Sequence, residues 1–115
     1  MSFAHHYTKD AAADIGKLDG SVKNRLKTTL EKKIATDPIG YGTPLRSPLT
    51  NYLKHEFAQH RVVYWVVENH NAVVVCAVGP RKRGDAEDVY SQLEPAIKTG
   101  KLAAQLKSVL DKIRG

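Results

Sequence analysis

Apolar positions recur at helical spacing in the first third of the chain and at strand spacing in the middle. "SFAHHYT" (2–8) reads as a short strand. Ala11, Ala12, Ile15 and Leu18 then fall on one helical face, and Gly20 is expected to end that helix. Ser21 is placed to cap the next helix, because its hydroxyl can accept from a free N–H of the first turn. Val22, Leu26, Leu30 and Ile34 recur every four residues, with Lys23, Lys27, Lys32 and Lys33 off that stripe. Asp37-Pro38 stops the helix. The spacing therefore predicts a helical hairpin, followed by an irregular loop over 39–51 that carries two glycines and two prolines.

"YLKHEF" (52–57) alternates. Leu53, His55 and Phe57 fall on one face, and Tyr52, Lys54 and Glu56 on the other, as in a half-exposed strand. "RVVYWVV" (61–67) and "AVVVCAV" (72–78) are apolar on both faces, so both should be central strands covered on two sides. Their short connections require antiparallel pairing. Gly79-Pro80 is expected to break the sheet. "DAEDVYSQLE" can start a helix, with acids in its first turn, and Pro95 and Gly100 should interrupt it. "KLAAQLKSVLDKIR" closes the chain as an amphipathic helix with Leu102, Leu106, Val109, Leu110 and Ile113 on its stripe. By default that stripe packs on the chain's own core, the alternative being a contact with a second copy or a partner. Strand, two helices, antiparallel strands and C-terminal helices make an α+β arrangement.

Composition narrows the class. The 115 residues suit one domain, 1–115. No apolar run approaches the roughly 18 residues of a membrane span, and "MSFAHHYTKD" has no apolar signal region. A single cysteine, Cys76, excludes an internal disulfide and fits a reducing cytoplasm; inside an apolar strand it reads as a buried structural thiol. The net charge of +6 favours a polyanionic or acidic partner. No zinc spacing, phosphate-binding glycine loop or nucleophile elbow occurs, so no metal or cofactor is expected.

The charges have a topological consequence. In adjacent antiparallel strands one strand's start lies beside its neighbour's end, so Lys54, Arg61 and Arg81 can converge at one end of the sheet. Three cations there make a phosphate site, and Tyr90 can fold back over it from the following helix. That set suits RNA cleavage by the RNA's own 2′-hydroxyl. Such a reaction needs a proton acceptor, cations for the phosphorane and a donor for the departing 5′ oxygen. His60, beside Arg61, is a possible proton-transfer group. The same residues have plainer readings: strand-edge charges that block aggregation, a solvated "RKR" loop, and a core aromatic. His5 and His6 face opposite ways in a strand and cannot easily share a metal, and His55 reads as a packed histidine.

The combination resembles the RelE/ParE superfamily of bacterial type II toxins. It is carried by "KLDGSVKNRLKTTLEKKIATDPIGYGTPLRSPL" followed by "YLKHEFAQHRVVYWVVENHNAVVVCAVGPRKRGDAEDVY". A helical hairpin, a Leu-Arg loop, an Arg-Val-Val-Tyr strand and Gly-x-Arg followed by a tyrosine come in that order over about residues 3–93. The helix over about 101–113 extends beyond that core. The resemblance implies a small antiparallel sheet flanked by the hairpin. In the RelE branch it implies a ribosome-dependent endonuclease that cuts mRNA in the A site, with Lys54, Arg61, Arg81 and Tyr90 at the catalytic positions. Lysine or tyrosine would assist proton transfer, Arg61 would stabilise the phosphorane and Arg81 would support the leaving group. Arg46, Lys82 and Arg83 are candidate RNA contacts. A cognate antitoxin is implied, with no membrane partner. The ParE branch, which shares the fold, inhibits DNA gyrase instead, and a degenerate binding member is a third reading. The chain departs from the RelE pattern at Glu56, where a second basic residue is frequent, and at His60, where tyrosine is common. Glu56 is either a substitute general base or a mark of lost activity.

Overall fold

Short polar side chains start each helix of the N-terminal half. In the computed structural model, which describes residues 2–46, 49, 51–80 and 89–114, strand β1 (Ala4–Tyr7) runs into Thr8. The Thr8 hydroxyl accepts from the Ala11 N–H at 3.1 Å and opens α1 (Lys9–Gly16). Asp19, not Ser21, caps α2 (Gly20–Thr29). Its Oδ1 accepts from the Val22 N–H at 3.0 Å and from the Ser21 hydroxyl at 2.8 Å. Asp19 has the extended backbone a cap needs, whereas Ser21 already lies inside the helix, so the more N-terminal acceptor wins. Gly20 consequently opens α2 instead of closing α1.

The stripe predicted on α2 is buried at Leu26, Leu30 and Ile34. A strict four-residue spacing drifts by about 40° per step around a helix of 3.6 residues per turn. The chain corrects this by widening to a π turn over Leu30–Ile34, where the Ala35 N–H donates to the Leu30 carbonyl at 2.7 Å. The expected loop after Asp37 is partly regular. Asp37 caps a short helix, α3 (Pro38–Tyr41), whose first-position proline is pre-set for helical φ. Strand β2 (Thr43–Pro44) follows.

The described residues form one five-stranded sheet of order β1-β5-β4-β3-β2, with β3 at Leu53–Phe57, β4 at His60–Val67 and β5 at Ala72–Pro80. β2 to β5 are antiparallel neighbours, but β1 joins β5 in parallel, so the sheet is mixed. β5 does not break at Gly79. It continues to Pro80, where a missing N–H costs nothing because the ladder ends there. β5 also carries one extra residue. Val63 pairs with Ala77 and Tyr64 with Val75, leaving Cys76 as a bulge. The extra residue reverses the alternation, so Val75 and Val78 face the same side. Beyond the end of β1, two α1-side groups serve the open edge of β5. The Thr8 hydroxyl donates to the Cys76 carbonyl at 3.3 Å, and the Val78 N–H donates to Asp14 Oδ2 at 3.2 Å.

Two helical layers cover the sheet. Ala11, Leu26, Leu30 and Ile34 pack on Val62, Tyr64, Val73 and Val75. On the other face lie α4 (Val89–Lys98) and α5 (Lys101–Arg114), with Leu93, Leu102, Leu106 and Val109 on Val63, Val74 and Cys76. The C-terminal stripe therefore packs on the chain's own sheet. Pro95 does not interrupt α4; Gly100, at φ +79°, makes the break between α4 and α5. Lys101 meets Asp10 at 3.2 Å, and the Asp10 N–H donates to Gln105 Oε1 at 3.2 Å, tying α5 to α1. No described helix is long and apolar enough to cross a membrane.

Candidate functional site

Alternation along β3 separates two chemistries. Leu53 and Phe57 join the core under the helical hairpin, while Lys54 and Glu56 point to the face that carries α4 and α5. The β3–β4 turn consists of Ala58 and Gln59, both with positive φ (44° and 64°), which fits the twist of a two-residue hairpin. That turn fixes the register and sets Arg61 directly opposite Glu56. Residues opposite each other in an antiparallel pair share a face, so Lys54, Glu56 and Arg61 form one cluster. Glu56 Oε1 lies 3.6 Å from Lys54 Nζ and 3.5 Å from Arg61 Nε. Two cations against one carboxylate leave this cluster net positive.

Tyr90, in the first turn of α4, completes the arrangement. The Arg61 guanidinium lies over its ring at 4.7 Å from the centroid, a cation–π distance. Arg61 is held in a fixed pose, its side chain only 14% exposed. Gly79 pairs with Arg61 on the other side and presents no side chain there. The bulge at Cys76 brings this about, since it decides which β5 residues face Arg61.

Beside the cluster a groove of about 510 Å³ runs between Thr43, Pro44, Leu45, Arg46 and Leu49 on one side and α4 on the other. Its lining includes Arg46, Lys54, Tyr90 and Glu94. Sequence reasoning missed Glu94. The only signal was its four-residue spacing from Tyr90, which shares a helix side but says nothing about what that side meets.

The structure brings Lys54, Glu56, Arg61 and Tyr90 together, with Arg46 on the adjoining groove. It does not bring His60 to them. His60 pairs with Phe57 at the hairpin end, its ring 5.8 Å from the Phe57 ring, and its Nδ1 donates to the Ala58 carbonyl at 2.8 Å. Being next to Arg61 in a strand puts it on the opposite face. Arg81, Lys82 and Arg83 lie outside the described residues; β5 ends at Pro80, opposite His60, at the Arg61 end of β4. Cys76 is buried, and burial pushes its thiol up to about 12, as expected of a structural thiol and not a nucleophile. His55 is half-buried and hydrogen-bonded, its Nδ1 donating to the Tyr41 carbonyl at 2.9 Å.

No family model matches the sequence, and no curated protein does either. Solved structures do. A chain of the RelBE2 toxin–antitoxin complex from Mycobacterium tuberculosis superposes with a TM-score of 0.66 at 22% identity, over 70% of this chain and 100% of that one. The isolated Escherichia coli RelE toxin gives 0.61 at 22% identity, over 84% of this chain and 99% of that one. The YoeB/ParE toxin from Agrobacterium tumefaciens gives 0.56 at 18% identity, over 66% of this chain and 95% of that one. The chain has the fold of the RelE/ParE toxins.

Proposed function

We propose that this protein is the toxin of a type II toxin–antitoxin pair and cleaves mRNA on the ribosome by 2′-hydroxyl attack. The observation that carries this reading is the cluster of Lys54, Glu56 and Arg61 on one sheet face, with Arg61 stacked on Tyr90. The rigid guanidinium suits a phosphate, because its planar fork spans two oxygens. Lys54 adds a second cation where charge grows on the phosphorane. Glu56, in contact with both cations, takes the 2′-hydroxyl proton as the new O–P bond forms. The bond to the 5′ oxygen then breaks, and that oxygen takes a proton from Tyr90 or a group on the Arg81 segment. The products are a 2′,3′-cyclic phosphate and a 5′-hydroxyl. The solved complexes with this fold that contain an antitoxin support a cognate antitoxin as partner here.

The test is inducible expression in bacteria followed by primer extension across an abundant transcript. We expect cuts within translated codons that vanish when translation is blocked. Arg81→Ala should restore growth while the protein remains folded. Growth arrest with intact messages and broken chromosomes would refute the nuclease reading in favour of DNA gyrase. Full toxicity of a folded Arg81→Ala protein would remove Arg81 from the mechanism.

A further inference from the structure

The groove beside the cations has a wall that phosphate binding does not account for. Lys54 lines it, with Thr43 beside it across the β2–β3 pairing. Pro44, Leu45 and Leu49 give one side an apolar surface, and Arg46 adds a cation. The other side is α4, where Tyr90 and Glu94, four residues apart, share one side of the helix. Its volume falls within the range of about 300–1,000 Å³ usual for small-ligand clefts. Glu56 is engaged by Lys54 and Arg61, whereas Glu94 has no ion-pair partner among the described residues.

A carboxylate on the wall of a cationic groove weakens its hold on phosphate. It is useful where the ligand presents N–H donors, because an ionised carboxylate only accepts. Nucleobases differ in this respect. Adenine, cytosine and guanine each carry an exocyclic amino group, while uracil flanks its single N–H with two carbonyl oxygens that a carboxylate repels. Single-stranded RNA is read through such base edges, with the base face laid on a side-chain surface. We infer that this groove is the nucleobase subsite beside the scissile phosphate, and that Glu94 selects an amino-bearing base over uracil there. The inference rests on the ribonuclease reading for its ligand. Pro44 and Leu45 carry the face of the base, Arg46 meets the adjoining phosphate and Glu94 accepts from the amino group. Glu94 is a specificity residue: its loss changes which base is held and leaves Lys54, Glu56 and Arg61 in place.

The test uses the full chain titrated with 2′-O-methyl dinucleotides, which lack the attacking hydroxyl and cannot be cut. Each of the four bases is varied at each position, and binding is followed by NMR shifts. We expect amino-bearing bases to bind roughly tenfold more tightly than uracil at one of the two positions. In Glu94→Gln, whose amide can donate as well as accept, that ratio should fall to about twofold or less, and Glu94→Ala should abolish it. Equal binding of all four bases, no binding, or a preference that survives in both variants overturns the inference. Binding and cleavage fail separately. A Glu94-dependent preference without cleavage of messages would refute the nuclease and leave the subsite standing. Cleavage without that preference would do the reverse.

Discussion

Among single residues, Glu56 is the strongest candidate for proton transfer. The structure sets its carboxylate between Lys54 and Arg61. If it serves as the general base, Glu56→Gln should slow cleavage of a reporter message in a translation reaction by about 10²–10⁴-fold. Tyr90→Phe keeps the ring beneath Arg61, so it should leave folding unchanged and affect only proton delivery. Tyr64 shows a purely structural residue on the opposite face. Fully buried, it donates its hydroxyl to the Pro38 carbonyl at 2.6 Å. Tyr64→Phe should cost about 1–2 kcal/mol, measured by urea denaturation, because the carbonyl loses its donor away from water. Lys54 and Arg61 were legible in the sequence because adjacent antiparallel strands set one strand's end beside its neighbour's start. His60 was not, because it belongs to the strand and not to the turn, and a strand neighbour of Arg61 looks in the opposite direction.

At the scale of elements, the α4–α5 pair decides the site. It delivers Tyr90 and Glu94 to the cationic face and buries Leu93, Leu102 and Leu106 on the sheet. Leu106 is 3% exposed, so Leu106→Ala should destabilise the fold by about 2–5 kcal/mol through lost burial and a cavity. Removing residues 101–115 should give a chain that aggregates or loses its near-UV circular dichroism, since Val63, Val74 and Cys76 lose their cover. The stripe of α5 was readable from spacing alone. The bulge at Cys76 was not, because a run apolar on both faces looks the same with or without an extra residue.

At the scale of the whole molecule, protonation sets an alkaline limit on stability. Burial raises the thiol of Cys76 and the phenols of Tyr52 and Tyr64, each to about 12. Their ordinary values are 9.0 for the thiol and 10.0 for the phenols. The folded state therefore holds these protons more tightly than the unfolded chain. Their contribution to stability is full below about pH 9 and is lost as pH rises from there towards 12. Denaturation midpoints taken from pH 7 to 11 should show this decline, and Cys76→Ala should move its onset up by about one unit. Asp14 has the same sign in the acid range. Desolvation raises its carboxyl pKa, partly offset by the Val78 N–H, so its ionisation opposes folding above the ordinary carboxylate range. Asp14→Asn keeps an acceptor for Val78 and should leave the protein at least as stable at pH 7. Asp14→Leu should cost about 1–3 kcal/mol by orphaning that N–H.

The helical hairpin, the three antiparallel strands, the amphipathic last helix and the shared face of Lys54 and Glu56 were all legible in the sequence. These follow from periodicity and short connections, which act over a few residues and leave a local mark. Packing across the fold sets β1 in parallel beside β5, lets the bulge at Cys76 turn Gly79 towards Arg61, and has α4 lay Tyr90 under the guanidinium and Glu94 beside the groove. Those outcomes depend on which apolar faces meet across long stretches of chain. No window of the sequence contains both partners of such a contact, so Lys54, Arg61 and Tyr90 could be named from the sequence, while Glu94 and the completed geometry could not.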